Sequence, residues 1–191
     1  VQRTWKAFPH FKGLPLQEQL ARKGILEAVL ETPVGRVRVV TSHLALAFGK
    51  DNPRTKQLAF LLRRLAKQRD LPLILAADLN TWPVEDGRLT PDYLAVLRAG
   101  LTDAKPPQRN AQGRYDPGLP TRIGWPRPRI KPLRGYYYPD HVFFRATQAQ
   151  TLRLRRFQLV LDEKGTALSD HNLLLADFTL GRSPPAAKAP R

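Results

Sequence analysis

The sequence contains no cysteine, so disulfide bonds, thiolate metal sites and thiol nucleophiles are excluded. Methionine is absent too, and Val1 stands where a start codon would place it; the reading is a processed chain, a fragment or an alternative start. Long apolar runs are missing: Leu71–Ala77 is the longest at seven residues, against about 20 needed to cross a bilayer. No secretory signal opens residues 1–10. Acidic residues are scarce, with 16 Asp and Glu against 32 Lys and Arg in 191 residues, a net charge of +16. Arg outnumbers Lys 22 to 10, as GC-rich coding would produce, so the global charge is a weak pointer to polyanions. What is present suffices for a folded domain: 42% of residues are hydrophobic, enough to offset the entropy of ordering the chain. The compartment stays open, with the cytoplasm favoured.

Pro9, Gly13 and Pro15 make residues 1–21 read as loop. Gly24–Glu31 and Arg36–Thr41 are β-prone runs around Thr32-Pro33-Val34-Gly35, which predicts a hairpin. In the second run Val37, Val39 and Thr41 alternate with Arg36, Arg38 and Val40, giving one buried face and one that begins basic. Asn52-Pro53 predicts a helix start, followed by Leu58, Leu61, Leu62 and Leu65 at helical spacing; the basic residues Arg63 to Arg69 read as its solvated face. Leu71–Ala77 reads as a buried strand, and Thr90-Pro91 opens a second helix ending at Gly100. Residues 104–138 read as an extended proline-rich loop carrying eight basic residues against Asp116 alone, a local balance of +7. Strands are expected again over 139–145, 151–161 and 172–180, before a disordered tail at 181–191.

Four polar clusters sit at predicted strand ends: Thr41-Ser42-His43-Leu44, Asp78-Leu79-Asn80, Asp140-His141 and Ser169-Asp170-His171. Strand ends at a sheet rim are where clefts form and distant segments converge. Alone, an Asp-x-Asn is more often a turn or helix cap than a metal site, and an Asp-His pair more often a cross-strand contact than a dyad. All four in one order carry more weight.

In that order, and with the Asn52-x-Arg54-x-x-Gln57 helix start, the sequence resembles the endonuclease/exonuclease/phosphatase superfamily, the DNase-I-like fold, from about Lys23 to Leu180. The resemblance implies an α/β fold in which a two-sheet β-sandwich is flanked by helices. Residues 1–180 would form the domain, its N-terminal strands missing together with the usual metal-binding Glu. An upstream half or a partner chain would complete it. The resemblance also implies roles: Asp78 for the attacking water, Asn80 for that water or the phosphate oxygens, and His43 as a donor to phosphate. His171 would face the scissile phosphate with Asp140 on its other ring nitrogen. Asp170, with Asp78, would reach the metal.

The implied activity is divalent-metal-dependent phosphodiester hydrolysis, with Mg²⁺ or Mn²⁺ suited to oxygen donors in a cysteine-free chain. Arg122, Trp125, Arg127, Arg129 and Arg134 interleave cations with an aromatic before Asp140, the composition that grips phosphates and stacks on bases. Nucleic acid is thus the expected substrate. Alternatives are a phospholipid headgroup or small phosphate ester, and a non-catalytic polyanion-binding remnant.

Overall fold

The computed structural model describes residues 1–11, 16–46, 52–116, 121, 138–160 and 171–183, with Leu16 and Gln17 described by backbone alone. The long strands are β1 (Gln2–Ala7), β2 (Gly24–Thr32), β3 (Gly35–Ser42), β4 (Leu73–Asp78), β10 (Asp140–Arg145), β11 (Gln150–Val160) and β12 (Leu173–Arg182). Two-residue strands lie between β4 and β10: β5 (Val84–Glu85), β6 (Arg88–Leu89), β7 (Thr102–Asp103), β8 (Gln108–Arg109) and β9 (Tyr115–Asp116). The helices are α1 (Leu16–Leu20), α2 (Pro53–Ala66) and α3 (Pro91–Arg98).

Six strands form one sheet in the order β1-β2-β3-β4-β10-β7, and β11 pairs with β12 in a second. Within the large sheet β3 and β4 are parallel, while β4 and β10 are antiparallel. Both helices that cover this sheet start as the sequence predicts. The Asn52 side chain accepts from Arg54 N–H and Thr90 from Tyr93 N–H, satisfying donors that a helix start leaves open. Gly100, at φ +82°, lets the chain turn beyond α3.

The core lies where Ile25, Val40, Leu73, Leu75 and Phe143 of the sheet meet Leu58, Leu61 and Leu65 of α2 and Tyr93 and Val96 of α3. On the opposite sheet face Phe144 meets Phe178 of β12 edge-on, with ring centroids 5.3 Å apart. Two sheets packed face to face with helices outside match the expected sandwich. Trp5, Leu26 and Leu30, on the outer strands of the large sheet, are exposed by 57%, 44% and 36%, so part of that sheet presents apolar side chains to solvent.

Four readings change. Residues 2–7, taken as loop, pair with β2 across their full length. Residues 104–116 are not an extended loop; they contain the β8–β9 hairpin. Arg38 does not face solvent on a basic strand face but is 1% exposed, because Glu27 on the adjacent strand meets it with hydrogen bonds at 2.9 and 2.5 Å. Arg64, read as solvated, pairs with the other oxygen of Glu27. Residues 122–134 and Asp170 lie outside the described residues, as does the tail from 184.

Candidate active site

Topology alone brings the catalytic candidates together. Because β3 and β4 run parallel, both leave the sheet at the same edge, where His43 and Asp78 form a bridge. The antiparallel β10 begins at that edge, so Asp140 is the cross-strand partner of Asp78. Backbone bonds tie the corner: Leu44 N–H to Asp78 O at 2.9 Å and Leu79 N–H to Pro139 O at 2.8 Å.

His171 arrives just before β12, and its Nδ1 lies 2.7 Å from Asp140 Oδ2. That contact fixes the tautomer with the proton on Nδ1 and leaves Nε2 as the basic nitrogen. Thr121, which the sequence did not single out, clamps the pair. Its hydroxyl accepts from Asp140 N–H at 3.2 Å, and its carbonyl accepts from Asn172 N–H at 2.7 Å. Burial pushes the Asp140 carboxyl above its ordinary range, the bonds from His171 and Thr121 oppose this, and the nearby charge of Asp78 adds to it.

Asn80 sits in the left-handed region at φ +47°, and its environment accounts for that. Its N–H donates to Asp78 Oδ1 at 2.8 Å, its side-chain Nδ2 to Leu44 O at 2.8 Å, and its carbonyl accepts from Arg54 Nη1 at 2.5 Å. The amide nitrogen is therefore engaged in joining the exits of β3 and β4. Arg54 is buried, 3.4 Å from Asp92, with its guanidinium 5.1 Å from the Trp82 ring centre. Gln57, one turn on, accepts Ala45 N–H at 2.7 Å. The Arg54 and Gln57 spacing was visible in the sequence, but their partners come from other segments and were not.

His43 Nε2 lies 3.3 Å from Asp78 Oδ2. Partial desolvation lowers the proton affinity of His43, and Asp78 acts in the opposite sense. In a pH titration followed by NMR, His43 is expected to show a midpoint below 6.5. The folded state then holds this proton less tightly than the unfolded chain, so stability is lost as pH falls from the ordinary histidine value. A midpoint above 6.5 would mean that Asp78 outweighs burial.

Ligand atoms of Asp78, Asp140 and His171 all lie within 4.8 Å of one another, the one such group among the described residues. Two carboxylates and an imidazole, with no sulfur, form a donor set for a hard divalent cation or for proton transfer. No described helix is long and apolar enough to cross a membrane.

No protein-family model and no curated protein matches the sequence; the similarity is structural. The human Nocturnin catalytic domain with bound sulfate superposes with a TM-score of 0.63 at 20% identity, over 94% of this chain and 59% of that one. An endonuclease/exonuclease/phosphatase from Beutenbergia cavernae gives 0.61 at 20% identity, over 95% and 45%. TDP2 of D. rerio, complexed with a single-strand DNA product, gives 0.60 at 18% identity, over 94% and 67%. The chain thus spans about half to two thirds of the length of these structures.

Proposed function

The chain has the DNase-I-like fold of endonuclease/exonuclease/phosphatase structures, and on that premise we propose that its corner of Asp78, Asn80, Asp140, His171 and His43 serves a phosphodiester hydrolase acting on nucleic acid. The observation that carries the reading is the 2.7 Å Asp140–His171 pair set beside Asp78 at one sheet edge.

In this reading Asp78, held by Asn80 N–H, orients the attacking water and takes its proton. His171, its Nδ1 proton bound to Asp140, faces the phosphate through Nε2 and acts there as general acid, passing a proton to the leaving oxygen as its bond to phosphorus breaks. His43 donates to a phosphate oxygen as charge builds there. The crowding of Asp78 and Asp140 favours a cation of the Mg²⁺ or Mn²⁺ class, held by Asp78 and Asp170; when bound, it supplies positive charge to the phosphoryl oxygen. Arg122, Trp125, Arg127, Arg129 and Arg134, in the basic segment before Asp140, would grip the substrate strand. Nucleic acid is preferred over a lipid or small ester because that basic segment adjoins Asp140 in sequence and a DNA product lies in a structure of this fold.

The test is hydrolysis of a labelled oligonucleotide by the full chain with Mg²⁺ or Mn²⁺, alongside a phospholipid and a sugar phosphate. Cleavage of the oligonucleotide that stops with EDTA and with Asp78→Ala is the expected result. Turnover of the lipid or sugar ester alone would overturn the substrate, and Asp78→Ala at wild-type rate would overturn the site.

A further inference from the structure

A groove of about 880 Å³ opens between residues 104–116 and β11, away from the catalytic corner. That volume is in the range of sites that enclose organic ligands, about 300–1,000 Å³. Lys105, Gln108, Arg109 and Asn110 form one wall, and Phe157 and Gln158 belong to the other. A smaller cleft lined by Thr121 and Asp140 shares Lys105 and Phe157 with it. The groove therefore adjoins the cleft lined by Asp140.

Its basic wall is fixed before any ligand arrives. Asn110 Oδ1 accepts from Gln112 N–H and Arg114 N–H, both at 3.0 Å, closing the β8–β9 turn in which Gly113 takes φ +72°. Tyr115 N–H donates to Gly87 O at 3.0 Å and Arg114 Nη2 to Asp86 O at 3.0 Å, anchoring the hairpin to the β5–β6 turn. The Arg109 guanidinium lies 4.5 Å over the Tyr115 ring and donates to Gly113 O at 2.9 Å and Tyr115 Oη at 3.2 Å. A cation held in this way loses little side-chain freedom when it meets an anion.

We propose that this groove is a binding subsite for a segment of single-stranded polynucleotide continuing from the scissile phosphate. Arg109 and Lys105 meet its phosphates, and Phe157 offers a ring on which a base stacks. The inference rests on the phosphodiesterase reading and names where its substrate strand runs. Two cations facing an aromatic ring suit alternating phosphates and flat bases. A lone phosphate would leave the Phe157 wall unused, and Asp116 is the one acid on the lining.

The test uses the full chain and fluorescein-labelled oligothymidylate in EDTA, with affinity read by anisotropy across a salt series. Lys105→Ala with Arg109→Ala should flatten the slope of log affinity against log salt by about 0.7 per lost phosphate contact. Phe157→Leu, which keeps an apolar side chain in place, should weaken binding about fivefold with less change in that slope, as loss of one stacked base predicts. Thermal melts confirm that each variant is folded. In turnover, both variants should lower the ratio of kcat/KM for the oligonucleotide to kcat/KM for bis(p-nitrophenyl) phosphate, which has no strand to place in the groove. Unaltered affinity, salt slope and ratio in folded variants would overturn the subsite. Wild-type binding that is lost in the variants, without cleavage of any phosphodiester, would sustain the groove and overturn the catalytic reading.

Discussion

Replacing His171 with alanine is expected to lower kcat by about two to four orders of magnitude while leaving KM within a few fold, as loss of a general acid–base group does. The imidazole is held by Asp140 at 2.7 Å, and Asp140 is held in turn by Thr121, so the ring reaches the reaction already oriented. Asp140→Asn should produce part of the same loss by removing the acceptor that fixes the tautomer. Combining it with His171→Ala should add almost nothing, because the two residues act as a unit. The pH profile carries a sign as well. Burial raises the Asp140 carboxyl above 3.8, so activity should fall on acidification before an ordinary aspartate would protonate. In that same window the folded state binds the proton more tightly than the unfolded chain, so stability decreases as pH rises through it. Initial rates of oligonucleotide cleavage check the first point. His171→Ala retaining a tenth of wild-type kcat would move the chemistry elsewhere.

Glu27→Ala is expected to destabilise the fold by about 3–5 kcal/mol, the usual cost of stripping the partner from a buried charge. One Glu27 oxygen takes both Nε and Nη2 of Arg38, and the other meets Arg64, so a single carboxylate joins β2, β3 and α2. Arg38 is 1% exposed and has one further bond, to Gln68 O at 3.4 Å. Without Glu27 it must stay buried with its charge unmatched or drag water into the core. Replacing both partners, with Glu27→Leu and Arg38→Met, removes the unmatched charge and should recover most of the loss. Urea unfolding of the wild type and the two variants measures this, and a change below about 1 kcal/mol in Glu27→Ala would show that water reaches the pair.

Features with local causes were legible in the sequence. The turn at Thr32–Gly35, the caps Asn52 and Thr90 and the strand ending in Asp78 depend on neighbours in the chain, and the structure has them where the residues placed them. The sheet edge that gathers His43, Asp78 and Asp140 follows from strand order, which periodicity did not give; the resemblance implied only that these residues share a site. Features with distant causes were hidden. Strand β1 has almost no buried position, so it shows no alternation to read. Arg38 looks like a surface cation until Glu27 is seen beside it, and Arg54 looks like part of a basic helix face until Asn80 and Asp92 close around it. The two-residue strands β8 and β9 are too short to leave a pattern, and the clamp by Thr121 joins segments that meet only in the folded chain.

The pairing of β4 with β10 also has a consequence in time. The pairs β2–β3 and β11–β12 join strands that are near neighbours in the chain, and contacts across short intervals form fast, within microseconds for the β2–β3 hairpin. By contrast, Thr81 and His141, which share a 3.1 Å hydrogen bond beside the candidate site, are separated by 60 positions. Closing so long an interval costs entropy before its contacts form, and proteins rich in such contacts fold slowly. The corner that holds Asp78 opposite Asp140 is thus expected to close after the strand pairs on either side of it, so that a nascent chain carries the parts of the site before it carries the site.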